Sequence, residues 1–458
     1  MASLQEQIYN SSPVWLQNVL VSAYGYRLYR KRYAGVFEDI RELLRHSRTW
    51  SQQETEAWQA EQLHNMITHC RHTVPYYQRL FAEYGLHEND FTNIKDVQKL
   101  PILTKATLRK NIDSFRSTEG RPYIVQHTSG STGTPLALEV DEYTYKLAMA
   151  LVVDHEEFHG VPFGAPRATF AGRMIQRADR MKPPFARYNR AENQTLFSSY
   201  HLNDGTFPWY KDALNHLRPR EIIGYPSAIS DLASHYQKTD TRPSFTPTVI
   251  ITNSETLLSW QREKIETVFN CPVYDYYGTA EYVLFAGQEN GHDYRLNPII
   301  GITEIVDINN EPAFDGRLIA NTLSNKIMPL LRYEIGDSGV AIKRSSTSPT
   351  CHTIKQVTGR VDDYIKMPDG RCLGRLDHIF KGVQGLIEAQ IIQSSPDHCT
   401  IKAVFESAPS NTQLDTLTRN FQDRTASQLK LTIQLVDSIP RGKNGKFRSV
   451  VQQLDGKS

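Results

Sequence analysis

The sequence has few cysteines, almost no net charge and no long apolar run. Its five cysteines are odd in number and scattered, so neither a disulfide framework nor a CxxC metal pair is predicted. Lys and Arg total 52 and Asp and Glu total 50, a formal charge of +2, which argues against nucleic acid as a partner. No stretch approaches the roughly 20 apolar residues of a membrane span, and the first residues lack a signal-peptide pattern. We expect a cytoplasmic protein without a transmembrane segment.

One basic stretch stands apart from this balanced composition. Residues 15–33 combine Leu, Val and Tyr with Arg27, Arg30, Lys31 and Arg32. The pattern favours a helix packed on the body of the protein with solvated arginines, and it also permits contact with an anionic membrane surface. The stretch belongs to a longer helical segment predicted for about residues 12–95.

The middle of the chain predicts an α/β fold. Three β-rich runs, EIIGY (221–225), TVIIT (248–252) and VYDYY (273–277), alternate with helical patterns at 228–236 and 257–269. This order indicates βαβ units and a parallel sheet. Ligands of such sheets bind where the carboxyl ends of the strands lead into loops. The predicted loops are 225–227, 253–255 and 278–281.

The chain beyond Arg360 predicts a second, smaller unit. Three strand-like runs, GLIEAQIIQ, TIKAVFE and LTIQLV, accompany an amphipathic helical pattern at 413–428. About 100 residues is a normal size for such an α+β domain. We therefore predict a large multi-layer domain over residues 1–359 and a small domain over 360–458.

The densest local motif is HTSGSTGTPLAL, residues 127–138. Closely spaced Ser, Gly and Thr allow backbone N–H groups and hydroxyls to surround phosphate oxygens. The motif is not a Walker A loop, because no Gly-Lys-Ser/Thr follows the glycines. From composition alone, a phosphate loop and a hairpin turn fit equally well.

Four further motifs follow in a fixed order: YYGTAE (276–281), LRYEIGD (331–337), GRVDD (359–363) and PRGKNGK (440–446). The second of them suggests a carboxylate in a tight turn. Together the motifs resemble those of the adenylate-forming superfamily, which comprises acyl-CoA synthetases, peptide-synthetase adenylation domains and luciferases. The likeness is closer to the phenylacetate-CoA ligase branch and, within it, to adenylating proteins of capsular polysaccharide biosynthesis. That closer likeness is carried by PILTK (101–105), residues 357–381 and EAQIIQ (388–393), and the resemblance covers about residues 14–451.

The resemblance implies an AMP-forming ligase that uses ATP and Mg²⁺. It assigns the β- and γ-phosphates to a loop, the α-phosphate to Thr279, and Mg²⁺ to Glu281, since this hard cation prefers oxygen ligands. Asp337 and Arg360 would contact the ribose, and Tyr277 would lie along the adenine or the acyl group. The loop residues are Ser129, Gly130, Ser131, Thr132 and Gly133, and Tyr276 and Gly278 complete the nucleotide site.

Lys446 is the main catalytic residue that the resemblance implies. A carboxylate and a phosphate repel each other, and an ammonium placed between them lets them react. Lys443 is a nearby competitor, but Lys446 follows Asn444-Gly445 as the family's pattern requires. Asp362 would be the hinge about which the small lid domain rotates between two half-reactions.

Other residues carry weaker assignments. Ser254 and Glu255 would border the nucleotide or, in the interpretation favoured for Ser254, cap the helix that starts at Leu257. Aromatic and proline residues near strand ends would wall the acyl pocket or simply belong to the core, namely Tyr200, His201, Tyr225 and Pro226. No paired Cys/His spacing supports zinc.

The sequence departs from the family's pattern at two places. Ile335 precedes Gly336-Asp337 where the wider superfamily usually has Thr. The segment MPDGRCLGRLDHIF (367–380) replaces the glycine-rich stretch that admits CoA in many relatives, which puts CoA in doubt as the acceptor; Lys366 and the turn 368–370 would shape the acceptor face instead.

Three functions remain open from the sequence. The first is adenylation of a small carboxylic acid followed by transfer to a thiol of CoA or a carrier protein. The second sends the acyl group to an amine or hydroxyl, for example of a cell-surface polysaccharide precursor. The third is a non-catalytic nucleotide-binding relative, which the joint presence of Glu281, Asp337 and Lys446 opposes. The acid itself is not encoded by the motifs.

Overall fold

The computed structural model describes residues 4–127, 136–171, 175–177, 179–255, 257, 259–342, 350–358, 365–369, 372–373, 376–380, 382–405, 407–439 and 450–454. The α-helices in these ranges are α1 (Leu4–Ser11), α2 (Val14–Tyr33), α3 (Phe37–Ser47), α4 (Gln52–Thr73), α5 (Pro75–Tyr84), α6 (Lys105–Lys110), α7 (Glu142–Phe158), α8 (Phe207–Leu217), α9 (Pro226–Lys238), α10 (Ser259–Phe269) and α11 (Asn411–Thr425).

The strands are β1 (Ile124–His127), β2 (Ala137–Val140), β3 (Arg167–Phe170), β4 (Ala186–Asn189), β5 (Gln194–Phe197), β6 (Glu221–Gly224), β7 (Val249–Asn253), β8 (Val273–Gly278), β9 (Phe285–Gln288), β10 (Tyr294–Leu296), β11 (Gly301–Val306), β12 (Asp315–Thr322), β13 (Tyr333–Ala341), β14 (Thr353–Thr358), β15 (Ile365–Lys366), β16 (Cys372–Leu373), β17 (Leu386–Ser395), β18 (His398–Phe405), β19 (Lys430–Leu435) and β20 (Val450–Gln452). Short 3₁₀ turns connect several of them, including Ser199–His201.

A 12-stranded sheet organises the larger part of the chain, in the order β11-β12-β13-β14-β10-β9-β8-β7-β6-β3-β5-β4. Its central strands β5, β3, β6, β7 and β8 are parallel neighbours, and β8 pairs with β9 in the antiparallel sense. The helices α9 and α10 provide the crossovers between β6, β7 and β8. The α/β fold with parallel βαβ units predicted from the sequence is therefore confirmed.

The parallel strands bury both of their faces, and alternate residues serve different layers. Ala168, Phe170, Ile222, Ile250 and Val273 pack with α8, α9 and α10 in one core. The residues between them point to the other face, where Ile223, Val249 and Ile251 pack with Val161. A glycine is required at the end of β6, because a Cβ on Gly224 would lie 2.1 Å from the backbone oxygen of Phe170.

The N-terminal helices follow from local signals. Ser51 and Glu54 form a capping box at the start of α4, and Pro75 at the first turn of α5 ends one helix and begins the next. The helix α2 packs on β4, where Ser22 donates to the backbone oxygen of Tyr188. The packed-helix interpretation of residues 15–33 is thus confirmed, whereas membrane-surface contact stays a prediction. No helix in the described ranges combines the length and the apolar character that crossing a bilayer requires.

The C-terminal part has a separate four-stranded sheet in the order β19-β18-β17-β20 and its own core. The helix α11 contributes Leu417 and Phe421 to that core. This confirms a smaller α+β unit after the large one. The predicted boundary at 359/360 and the hinge at Asp362 stay predictions, because residues 359–364 lie outside the described ranges.

Candidate active site

Two of the sequence motifs meet at the end of β8. The hydroxyl of Tyr277 donates a hydrogen bond of 2.6 Å to Oδ2 of Asp337. Asp337 lies on β13, so the predicted tight turn is wrong. Between Glu334 and Ser338 the strand is out of step with β12, and Gly336 in this irregular stretch has a φ of +96°. This local departure from a regular strand accompanies the approach of the aspartate to β8.

The acidic residue of the first motif is also tied to the second. Glu281 is buried, and its Oε1 accepts a hydrogen bond of 3.1 Å from the hydroxyl of Tyr333. Thr279 closes the turn that contains Glu281, since its carbonyl accepts from the N–H of Tyr282. The motifs YYGTAE and LRYEIGD are therefore held together by two tyrosine–carboxylate hydrogen bonds.

The carboxylates around this site decide whether it could hold a magnesium ion. Within the described part of the chain, no group of three or more His, Cys, Asp or Glu side chains is arranged to hold a metal ion. A single carboxylate such as that of Glu281 fits Mg²⁺ that takes its other ligands from nucleotide phosphates and water. The site thus suits a metal that arrives with a nucleotide.

A second buried carboxylate lies just before this motif on β8. Asp275 accepts hydrogen bonds from the hydroxyls of Thr252 at 2.5 Å and Tyr294 at 2.7 Å. Burial raises the pKa of Asp275 from 3.8 to about 7, against the opposing effect of these two hydrogen bonds.

The loops after β6 and β7 also meet. Oε2 of Glu255 accepts a hydrogen bond of 3.2 Å from the N–H of Ser227, in the first turn of α9. Its negative charge is favourable at this helix N-terminus. The hydroxyl of Ser254, whose φ is +67°, donates to Asn253, and α10 begins only at Ser259. The predicted helix start at Leu257 and the capping role of Ser254 are therefore wrong.

A cavity of about 760 Å³ opens beside these loops. Its size is typical of small-molecule and cofactor sites. Of the predicted site residues, four line it: Tyr200, Tyr225, Ser254 and Tyr276. The remaining walls come from α2, α7, β3, β5, β6 and α11, and the full lining is Arg32, Tyr33, Met149, Val152, Val153, Glu156, Arg167, Thr169, Ala171, Glu192, Gln194, Tyr200, Ile223, Gly224, Tyr225, Asn253, Ser254, Tyr276, Asn420, Asp423 and Arg424.

Two predicted wall residues are not part of the lining. His201 is fully buried, with Nδ1 at 2.7 Å from the hydroxyl of Ser198 and Nε2 at 3.0 Å from the backbone oxygen of Arg177. Burial lowers the pKa of His201. Pro226 is buried as the first residue of α9. Neither residue lines this cavity, and the burial of both favours the alternative that they belong to the core.

Four charged residues that the sequence did not reveal line the part of the cavity that we call its floor: Arg32, Glu156, Arg167 and Glu192. Arg32 pairs with Glu192 at 2.8 Å, and Arg167 pairs with Glu156 at 3.0 Å. The hydroxyl of Tyr33 also donates to Glu192, at 3.2 Å. The side chain of Arg32 is 21% exposed, so the expectation that it is a solvated arginine is wrong.

Burial shapes the electrostatics of this floor. It raises the pKa of Glu156, although the Arg167 guanidinium opposes this effect. Burial, with the nearby Glu156 carboxylate, raises the pKa of Glu221 well above its ordinary value. Glu221 lies opposite Arg167 in the β3–β6 ladder. One signal in the sequence could have revealed this cluster. The strands β3 and β6 are otherwise uncharged but begin with charged residues, and a buried charged residue usually has a partner of opposite charge.

The smaller unit reaches the mouth of the cavity through α11. The guanidinium of Arg424 lies 5.1 Å from the ring centroid of Tyr200 and hydrogen-bonds its hydroxyl. Asn420 and Asp423, on the same helix, line the cavity as well.

Several predicted site residues lie outside the described ranges. They are Ser129, Gly130, Ser131, Thr132, Gly133, Arg360, Asp362 and Lys446. The strands on either side of the first group, β1 and β2, are paired with each other, with His127 opposite Ala137.

Comparison with known proteins agrees with this fold and these motifs. A family model described as the CapK C-terminal domain matches residues 368–453. Protein CapK of Staphylococcus aureus is 27% identical over 98% of this chain and 99% of its own length. Phenylacetate-coenzyme A ligase of Aromatoleum evansii is 24% identical over 69% of this chain and 72% of its own.

Among solved structures, a 2-hydroxyisobutyryl-CoA ligase in complex with 2-HIB-AMP and CoA has a TM-score of 0.57 and 16% identity, covering 89% of this chain and 91% of that one. The shared fold is that of the adenylate-forming ligases. In sequence the chain is similar to Protein CapK over nearly its whole length and to phenylacetate-coenzyme A ligases over most of it.

Proposed function

We propose that this chain is an ATP-dependent carboxylate ligase that forms an acyl- or aryl-adenylate and then transfers the acyl group to a thiol of CoA or a carrier protein. The observation that carries the proposal is the pair of hydrogen bonds Tyr277–Asp337 and Tyr333–Glu281, which joins two motif segments, the first of which also contains the cavity residue Tyr276. The relatives named phenylacetate-coenzyme A ligase support the same chemistry.

The first half-reaction is a displacement at the α-phosphorus of ATP. A carboxylate oxygen of the acid forms a bond to this phosphorus as the bond to the β-phosphate breaks, and pyrophosphate leaves. Both reactants are anions, so the reaction needs positive charge and aligned donors at the phosphate. Thr279 would contact the α-phosphate, and Ser129, Gly130, Ser131, Thr132 and Gly133 would hold the β- and γ-phosphates.

The nucleotide itself would lie against the joined motifs. Asp337 would accept hydrogen bonds from the ribose hydroxyls, with the Tyr277 hydroxyl holding its carboxylate in place. Tyr276 and Gly278 would flank the base, and Arg360 would reach the ribose. Glu281 would be the protein ligand of Mg²⁺, which when bound neutralises charge on the phosphates.

Lys446 would supply the ammonium that bridges the two anions during adenylation. After rotation about Asp362, the small unit would present a different face for the second half-reaction. There the thiol sulfur forms a bond to the acyl carbon as the bond between that carbon and the AMP oxygen breaks, and the thiol proton is lost to solvent. An amine or hydroxyl acceptor would attack the acyl carbon in the same way. The acceptor experiment below distinguishes it from a thiol.

Pyrophosphate exchange into ATP tests the proposal directly. The full-length protein is incubated with ATP, Mg²⁺, labelled pyrophosphate and aryl, aliphatic, hydroxy or amino acids. We expect exchange that depends on one class of acid. Protein that binds ATP but supports no exchange with any acid would contradict the enzyme assignment. CoA, a phosphopantetheinylated carrier and amine acceptors, added in turn to the active mixture, then identify the acceptor.

A further inference from the structure

The charged floor of the cavity lies several residues down the strands from the motif YYGTAE at the end of β8. In the parallel ladder, Phe170, Gly224, Thr252 and Asp275 share one level, and Tyr276 lies one residue above it. Arg167 lies three residues below Phe170 on β3. Four levels at about 3.3 Å each place Tyr276 roughly 13 Å above Arg167 along the strand direction, and β8 lies three strands away from β3 across the sheet. An acid with its carboxylate near the end of β8 would thus extend towards the Arg167–Glu156 pair.

The charged groups of the floor are largely removed from solvent. The side chains of Glu156 and Glu192 are 4% and 5% exposed, and those of Arg167 and Arg32 are 14% and 21% exposed. Each of these four residues lines the cavity. Such groups are costly to cover with apolar surface, because water or ligand atoms must continue to satisfy their hydrogen bonds.

The charges of the lining balance one another. Three guanidinium groups, of Arg32, Arg167 and Arg424, stand against three carboxylates, of Glu156, Glu192 and Asp423. The site therefore does not call for a second full charge on the acid. Its acceptors are carboxylate oxygens and the amide oxygens of Gln194 and Asn253, which match O–H and N–H donors.

The walls add apolar contacts around this floor. Met149, Val152 and Val153 from α7 and Ile223 from β6 line the same cavity, together with the tyrosines 33, 200, 225 and 276. A carbon skeleton can pack against these side chains while its polar groups reach the ion pairs. An aryl or alkyl acid would fill the same space but would displace water from the floor without replacing its hydrogen bonds.

We infer that the acid activated by this protein carries hydroxyl or amino groups at its distal end, which donate hydrogen bonds to the Arg167–Glu156 and Arg32–Glu192 pairs. Simple aryl and aliphatic acids are discriminated against. This substrate class rests on the proposed ligase function, because it takes the cavity as the acyl site.

Matched acids test the substrate class by binding, independently of catalysis. Calorimetry with the full-length protein and a non-hydrolysable ATP analogue compares phenylacetate and hexanoate with their distal hydroxy and amino derivatives, which share the same skeletons. We expect the hydroxy or amino member of a pair to bind at least about 10-fold more tightly, the effect of about one well-placed hydrogen bond. Equal or tighter binding of the unsubstituted acids, or no binding of any of them, overturns the inference.

A double substitution tests whether the Arg167–Glu156 pair is what selects polar acids over apolar ones. Glu156→Leu with Arg167→Met replaces the whole ion pair by apolar side chains, a change that proteins often tolerate without loss of stability. The preference for the polar acids should then fall below about 2-fold, since their donors lose their partners. The matched control, Arg48→Met with Asp154→Leu, removes a 2.6 Å pair that does not line the cavity and should keep the preference.

The two proposals fail in different ways. Binding of polar acids without pyrophosphate exchange would contradict the ligase function and leave the ligand class standing. Exchange with aryl or aliphatic acids in preference to their hydroxy and amino derivatives would support the ligase and overturn the substrate class. If the paired variant folds, as judged by thermal unfolding, and keeps the full preference for polar acids, the floor is not what selects them.

Discussion

Replacement of Tyr277 by Phe tests the contact on which the proposed nucleotide site depends. The substitution removes one hydroxyl and with it the 2.6 Å hydrogen bond to Asp337. A hydrogen bond to a charged group contributes about 1.5–3 kcal/mol. Both residues are half-buried, so solvent weakens the contribution and the lower end applies. Because about 1.4 kcal/mol corresponds to a factor of 10, we expect the KM for ATP to rise about 10-fold.

The assay is acid-dependent pyrophosphate exchange at varied ATP, with kcat and KM determined separately. Tyr294→Phe is the matched control, since it removes a 2.7 Å tyrosine–aspartate hydrogen bond to Asp275 on the same strand. This control should lower the melting temperature without a comparable change in the KM for ATP. If Tyr277→Phe leaves the KM within about 2-fold of wild type, or if both variants raise it equally, the orienting role of Tyr277 is refuted.

Three further predictions concern the reaction, pH and packing. Lys446→Ala should abolish acid-dependent exchange while ATP binding, measured by calorimetry, is largely retained; full exchange activity in this variant would remove Lys446 from the mechanism. Burial raises the pKa of Asp275 from 3.8 to about 7, so between these pH values the folded protein keeps a proton on this carboxyl group that the unfolded chain has lost. The free energy of unfolding should therefore fall as pH rises from about 4 to 7, by about 4 kcal/mol from this group, and Asp275→Asn should give a shallower slope in melting temperature against pH. Gly224→Ala should prevent normal folding, because its Cβ would lie 2.1 Å from the backbone oxygen of Phe170, and a wild-type melting temperature for this variant would contradict that reading.

The order of the elements could be predicted from the sequence because it depends on local patterns. The runs EIIGY, TVIIT and VYDYY became β6, β7 and β8, and the helical periods between them became α9 and α10. The motifs around Glu281 and Asp337 were visible for the same reason, since each is a short continuous stretch.

The failures of prediction arise where neighbours in space are distant in the chain. Glu255 contacts the first turn of α9, because parallel strands bring the ends of β6 and β7 together. The sequence left His201 either in the pocket wall or in the core, and its ring stacks on that of Phe185 with the centroids 5.5 Å apart.

The sequence by itself therefore determined the strand and helix order and the two acidic motifs, because hydrophobic period and turn chemistry act over a few residues. Only the tertiary structure decided the character of the cavity that we propose as the acyl site. Its floor joins Arg32 from α2, Glu156 from α7, Arg167 from β3 and Glu192, and the first and last of these are 160 residues apart in the chain. A buried charge is stable only beside its counter-charge, and which residues meet in this way is set by how the helices pack on the sheet.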